Sequence, residues 1–269
     1  MLTEKIIASD YLFPIQQFGG MGKIHSVFDR SFNVQVNEQL ININNYRSYL
    51  AGFGMYLPEE QFRAIMPYVE PGNLVKIRNH GLTFYSTKGT SVLPLTDIAF
   101  VSLQVKELSF TAVERNSLKE ILIKQNLAEK IGLPLEKRAL EIFEALRHPE
   151  PDWQQVTTYL IGRGKGLTPS GDDLLVAYQA MLYAFDQPAE KLANALAVPL
   201  STTDVSKAYI SASIKGYVNS LIYRLLTDLK SQDQQLIEQD VKDVMKIGHS
   251  SGIDLCFGML LALESITLE

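Results

Sequence analysis

The residues of this 269-residue chain best suited to chemistry stand in two glycine-containing loops. The first is Gly162-Arg-Gly-Lys-Gly-Leu-Thr-Pro-Ser-Gly-Asp-Asp173, which runs into the apolar Leu174-Leu-Val-Ala177. Glycines at 162, 164 and 166 let a backbone bend and approach a ligand closely. Ser170 reads as a helix N-cap with Asp173 three residues on. A helix start leaves N–H groups unpaired and carries partial positive charge, so it can hold an anion. Gly164, Lys165, Gly166, Thr168, Ser170 and Gly171 are thus candidate anion-binding residues. Asp172 and Asp173 are candidate catalytic carboxylates, which could equally orient a positive group. An ordinary loop entering an ordinary helix has the same composition. No Lys-Ser or Lys-Thr follows the last glycine, as a P-loop needs, and Leu167 occupies the place of the third glycine of a dinucleotide fingerprint.

Near the C-terminus the pattern returns as Gly248-His-Ser-Ser-Gly-Ile-Asp-Leu255. Ser251, Gly252, Asp254 and Leu255 fall under Ser170, Gly171, Asp173 and Leu174. Two such helix starts, if they converge, would surround a small anion with N–H groups and hydroxyls, adding Ser250, Ser251, Gly252 and Asp254 to the candidate set. Asp173 and Asp254 could instead be reciprocal caps bonding their own N-cap N–H groups. Asp172 has no counterpart in the second loop and is freer to react. His249, in a glycine-flanked loop, is the candidate general acid or base, because imidazole titrates near neutral pH.

A third segment, Gly19-Gly-Met-Gly-Lys-Ile-His-Ser-Val-Phe-Asp-Arg30, delivers His25, Ser26 and Arg30 from a glycine run. Arginine can grip a carboxylate or phosphate with two parallel hydrogen bonds. His80 and His148 sit in a hairpin turn and at a helix end, and Ser201-Thr-Thr-Asp-Val-Ser206 reads as a hydroxyl-rich cap. No His-Glu-x-x-His, cysteine pair or His cluster points to a metal. A divalent cation at Asp172 and Asp173 is possible but not demanded, and no cofactor is expected. Gly248-His-Ser-Ser-Gly252 has the spacing Gly-x-Ser-x-Gly, but a helix and not a strand is expected before it, so the strand–turn–helix context of a nucleophile elbow is lacking.

The elements that must position these residues fall into two blocks, giving an α+β class. Residues 1–108 form a β-rich domain, barrel- or sandwich-like, and residues 109–269 a helical domain carrying both loops. Hairpins are expected across Asn37-Glu-Gln39 and Arg78-Asn-His-Gly81, with further strands at Val92-Leu93 and Phe100–Val105. A short helix covers residues 61–68. Thr111 and Glu114 form a capping box, and Pro134 suits the first turn of the next helix. Later helices are expected at 171–185, after Pro188, and as one long element at 204–229. Two more follow at 233–246 and 251–266.

Composition narrows the function. A net charge of −5 and no dense basic stripe argue against a nucleic-acid binder. The single Cys256 lies in an apolar run, excludes an internal disulfide and reads as a core thiol. The stretch from Met1 to Asp10 lacks the pattern of a secretory leader. No apolar run approaches the roughly 20 residues of a membrane span. A cytoplasmic protein with no membrane partner is the expectation.

Gly166-Leu-Thr-Pro-Ser-Gly-Asp-Asp173 and Gly248-His-Ser-Ser-Gly-Ile-Asp254 resemble the hallmarks of a prokaryotic family long without an assigned function, which includes the AllH-type subunit of oxamate carbamoyltransferase. Ile24-His-Ser-Val-Phe28 and Thr202-Thr-Asp-Val-Ser206 are similar to further family segments, so the resemblance spans nearly the whole chain. It departs at Ala177, where a glycine is common, and at Lys165 inside the glycine run. The resemblance implies a subunit acting with others in anaerobic allantoin breakdown, converting oxalurate and phosphate to oxamate and carbamoyl phosphate. It implies partners in a small anionic metabolite, in phosphate or carbamoyl phosphate, and in other subunits of a multi-protein enzyme. Thr168, Ser170, Gly171, Asp172 and Asp173 would then form one wall, and His249, Ser250, Ser251 and Asp254 another. His25, Ser26 and Arg30 would approach from the β-rich domain. The alternative is a non-catalytic module that binds a small anion or docks subunits, since no catalytic constellation is complete by itself.

Overall fold

A computed structural model describes residues 5–266, leaving residues 1–4 of the stretch read for a leader outside the described residues. The chain divides into two compact units, Met1–Leu103 and Gln104–Glu269. The first is built on strands and the second on helices, so the class is α+β.

Nine strands make one sheet in the first unit: β1 Ile6–Ser9, β2 Met21–Phe28, β3 Ser31–Val36, β4 Gln39–Asn44, β5 Gly54–Tyr56, β6 Leu74–Arg78, β7 Gly81–Ser86, β8 Gly89–Pro94 and β9 Ile98–Val101. Their spatial order is β8-β7-β6-β2-β3-β4-β5-β1-β9, a curled half-barrel. Both expected hairpins form. Asn37 takes a left-handed φ of 53° in the β3–β4 turn, and Arg78 pairs with Gly81 across the β6–β7 turn. Asparagine tolerates that conformation because its short polar side chain can bond locally. The final strand is shorter than the Phe100–Val105 expectation and ends at Val101.

Strand alternation sorts β3 and β4 onto two faces. Phe32, Val34, Ile41 and Ile43 pair across one face and are fully buried. A helix, α1 Glu59–Ile65, lies against it through Phe62, whose ring centroid is 6.2 Å from that of Phe32. Asn33 and Asn42 pair on the opposite face. In β2 the register shifts between Ile24 and Ser26, which pair with Val34 and Asn33 respectively. His25 is therefore the extra residue of a bulge, a device that re-aims a side chain.

The second unit comprises α2 Ala112–Ile123, α3 Lys137–Leu146, α4 Trp153–Leu160, α5 Ser170–Ala184, α6 Glu190–Leu196, α7 Asp204–Ile214, α8 Ser220–Leu229, α9 Gln234–Met245 and α10 Ser251–Ser265. The Thr111–Glu114 capping box is present. Two expectations need correction. The next helix begins at Lys137 with Glu136 as N-cap, so Pro134 stands outside its first turn. The long helix at 204–229 is two helices. Gly216, at φ 89°, ends α7, and Asn219 caps α8 by accepting from the N–H groups of Leu221 and Ile222 at 3.0 Å.

Helices α5 and α10 form the centre of this unit. Both are apolar almost all round, with only Tyr183 not buried in α5, the mark of a helix enclosed by others. They cross closely because Gly258 lacks a side chain. A Cβ there would come within 2.2 Å of the Leu174 carbonyl oxygen. Among the described residues no helix is long and apolar enough to cross a membrane.

Candidate functional site

The two Ser-Gly-x-Asp starts meet. Thr168 Oγ1 lies 2.8 Å from Ser251 Oγ, a hydrogen bond linking residues 83 positions apart. Each start is pressed onto the end of the helix before it. Gly171 donates its N–H to Arg163 O and Gly252 to Ile247 O, both at 2.9 Å. A Cβ at Gly171 would stand 2.1 Å from Leu160 O, and one at Gly252 would stand 2.0 Å from Val244 O. These approaches are the physical reason for both motif glycines. Gly164 serves a similar end, with φ 129° and a Cβ position only 2.4 Å from the Ser170 nitrogen.

The capping roles differ from expectation. Pro169 and Ser250 occupy the N-cap positions, and neither makes a side-chain cap bond. Ser170 and Ser251 are instead the first helical residues. Pro169 O accepts from the N–H groups of Asp172 and Asp173, and Ser250 O from those of Ile253 and Asp254. The N–H groups of residues 171–173 and 252–254 are all partnered within the protein. The backbone of these two turns is therefore already engaged, and hydroxyls are the polar groups that remain at the corner.

Reciprocal capping by the two aspartates also gives way to a different arrangement. Asp254 Oδ1 accepts the N–H of Gly132 at 2.8 Å. Asp254 and Asp173 are 1% and 5% exposed, and the Oδ2 atom of each is buried without a hydrogen-bond partner among the described residues. Burial pushes Asp173 well above the ordinary carboxylate range. The Ser251 and Thr168 hydroxyls oppose that push, while the carboxylates of Asp254 and Asp172 add to it. Burial raises Asp254 too, against the Gly132 N–H and the Ser170 and Ser250 hydroxyls.

Asp172 is fully buried and fully engaged. Its Oδ1 accepts from Gly162 N–H at 2.8 Å, and its Oδ2 accepts from Ser206 Oγ at 2.6 Å and from Thr202 Oγ1. The carboxylate thus ties the glycine loop to the start of α7. Thr203 secures the same junction by capping α7 and donating to Leu167 O. Gly162, Pro169, Ser201, Thr202, Thr203 and Lys207 border an open hollow of about 540 Å³ beside this loop.

Gly132 carries no motif signal in the sequence. A Cβ on it would fall 2.2 Å from Ser170 Oγ and 2.6 Å from Ser250 Oγ, so it closes over the two serines where the loops join. Gly164, Lys165, Gly166 and His249 are exposed, and Thr168, Ser250 and Ser251 are half-buried. Among the described residues no group of three or more His, Cys, Asp or Glu side chains is arranged so that it could hold a metal ion.

His25, Ser26 and Arg30 belong to the sheet unit. Arg30 donates to Asn45 Oδ1 at 3.0 Å and to Asn45 O, and its guanidinium lies 4.7 Å from the Tyr46 ring centroid. Ser26 Oγ is 3.1 Å from His25 Nδ1 and accepts from Asn33 Nδ2 at 2.9 Å. Asn33, Asn42 and Asn44 are polar residues of this sheet face that the motif pattern does not single out.

Fold and site together define a two-unit α+β protein whose helical unit joins a pair of Ser-Gly-x-Asp helix starts. Residues 5–96 match the family model of the AllH family N-terminal domain, and residues 160–263 match that of oxamate carbamoyltransferase subunit AllH. The chain belongs to the AllH family. No solved structure matches it. Gly132 lies between the two matched regions.

Proposed function

We propose that the chain is a subunit of a carbamoyltransferase-like enzyme acting on a small carboxylate amide of the oxalurate and oxamate type, with phosphate or carbamoyl phosphate as cosubstrate. The observation that carries this reading is the Thr168–Ser251 contact, which joins both loops in one corner. Family membership supplies the reaction class, since the matched model is described as an oxamate carbamoyltransferase subunit. The word subunit supports partner chains in a multi-protein enzyme.

In this reading Thr168, Ser250 and Ser251 supply hydroxyls to the anionic oxygens, the buried Ser170 backs them beneath Gly132, and Lys165 adds charge from the exposed loop. Burial favours the protonated form of Asp173, which lessens repulsion of an anion and provides an O–H donor. Asp172 acts as a positioning residue, because its oxygens already hold three donors. His249 is the group free to move a proton from the loop.

The test is phosphorolysis of oxalurate by the purified chain, alone and with the products of neighbouring genes. Carbamoyl phosphate formation, lost in Ser251→Ala and His249→Gln, is the expected result. Binding of phosphate or oxamate without turnover in any combination would favour the non-catalytic module instead. Neither turnover nor binding would overturn both readings.

A further inference from the structure

One face of the sheet unit carries a patch that is both apolar and basic. Strand pairing sets its positions: Val92 opposes Thr83, Thr83 opposes Lys76 and Lys76 opposes Met21, a row across four adjacent strands. Beside it Leu74 opposes Lys23, and Arg78 stands two residues beyond Lys76 on the same face. Val75, Ile77, Phe84 and Leu93, on the other face by alternation, are buried. On the open face Met21, Leu74 and Val92 are 49%, 54% and 59% exposed, and Lys23 and Arg78 are exposed with them. No position of this face on β2, β6, β7 or β8 is a carboxylate, in a chain whose net charge is −5.

Two ordinary explanations fall short of this pattern. Apolar residues scattered singly over a surface need no explanation, but these three share one face of four neighbouring strands. Lysines also guard edge strands against pairing with other chains; here the edge strand is β8, and the cations stand on β2 and β6 inside the sheet. Exposed apolar groups interleaved with one sign of charge suit a docking surface. Its occupant follows from the charge. Two copies meeting face to face would set lysines and arginines against one another, which disfavours a symmetric pair. Three cations are few for a nucleic acid, whose binding rests on many phosphate contacts. A surface with carboxylates among apolar side chains matches both features at once.

We propose that this face docks another subunit of the enzyme, through an acidic surface of that subunit that also bears apolar side chains. Met21, Leu74 and Val92 supply the apolar contact, and Lys23, Lys76 and Arg78 pair with the carboxylates around it. This docking rests on the partner subunits of the function proposed above and is independent of which substrate they process.

The test is assembly of the full-length chain with the purified products of neighbouring genes, read by sedimentation at about 0.05 M and about 0.5 M NaCl, where charges are weakly and strongly screened. The wild type should form a complex that loosens with salt. Lys76→Glu should weaken it at least about tenfold at low salt and much less at high salt, because a like charge then meets the carboxylates. Leu74→Ser should weaken it at both salt concentrations, because it removes apolar contact area. Both side chains lie on the open face, so the variants should keep the wild-type melting curve. A complex that forms equally well with both folded variants would overturn this surface and leave the subunit reading standing. No complex with any product would overturn the subunit reading and the surface with it. A homodimer, or a complex with oligouridine, that these variants dissolve would assign the face to a second copy or to nucleic acid and overturn the acidic partner.

Discussion

Removing Asp172 should loosen the helical unit far more than removing any single hydroxyl around it. In Asp172→Ala three donors lose their acceptor: Gly162 N–H, Thr202 Oγ1 and Ser206 Oγ. Thr202 is half-buried and can turn to water, whereas Ser206 is 1% exposed. Gly162 N–H sits at the root of the glycine loop and has its carboxylate partner at 2.8 Å. Stranding the buried Ser206 hydroxyl costs about 1–3 kcal/mol and losing the Gly162 bond to a carboxylate about 1.5–3 kcal/mol, a loss centred near 4 kcal/mol. For a unit of this size that corresponds to a fall in melting temperature of about 8–16 °C. Ser206→Ala leaves the carboxylate two partners and should cost about 1 kcal/mol. The double variant should cost less than the sum of the two, because one stranded donor has gone. The single tryptophan, Trp153, lies in α4 with its ring 5.6 Å from that of Tyr178, so its fluorescence during urea unfolding reports on this unit. A loss below about 1 kcal/mol for Asp172→Ala, or strict additivity with Ser206→Ala, would refute the reasoning.

Other perturbations follow from the same geometry. Gly132→Ala places a methyl against the Ser170 and Ser250 hydroxyls and should cost about 1–3 kcal/mol; adding Ser170→Ala should recover part of it in the same urea assay. Asp173 has its folded pKa raised above the ordinary 3.8, so the native state binds the extra proton and stability falls as pH rises from there through the folded value. Asp173→Asn should therefore gain stability relative to wild type across that rise, read as urea midpoints over a pH series, with Asp254 keeping some slope of its own. Cys256 is fully buried, and burial pushes its thiol up. A thiol reagent should therefore label it only at the rate at which the helical unit unfolds.

The local features of the sequence carried over well where one residue type sets one conformation. Asn37 marked the β3–β4 turn, and Thr111 with Glu114 marked the start of α2. The repeated Ser-Gly-x-Asp pattern was legible because both copies solve the same packing problem, a helix start pressed onto a preceding carbonyl. What failed involved competition between neighbours. Helical periodicity ran through residues 204–229, but Gly216 and the Asn219 cap outweighed it. Ser170 has the chemistry of an N-cap, yet the extended backbone of Pro169 takes that position one residue earlier. Gly132 and Ser206 were not readable as parts of the corner, since only the fold brings them to Ser170 and Asp172. The pairing of Asn33 with Asn42 on the polar sheet face likewise needs strand register, which alternation alone leaves open.

The burial of α5 and α10 bears on how the corner can respond to a ligand. Its serines stand on the first turns of the two innermost helices of the unit, and those helices are locked together where Gly258 meets the Leu174 carbonyl. Moving Ser170 relative to Ser251 would mean sliding one buried helix along another, so this wall has no hinge of its own. On the proposed reading, adaptation to a ligand falls to the exposed segments Arg163–Leu167 and Gly248–His249. In that proposal the wall is a fixed gauge, and the exposed loops set what is admitted.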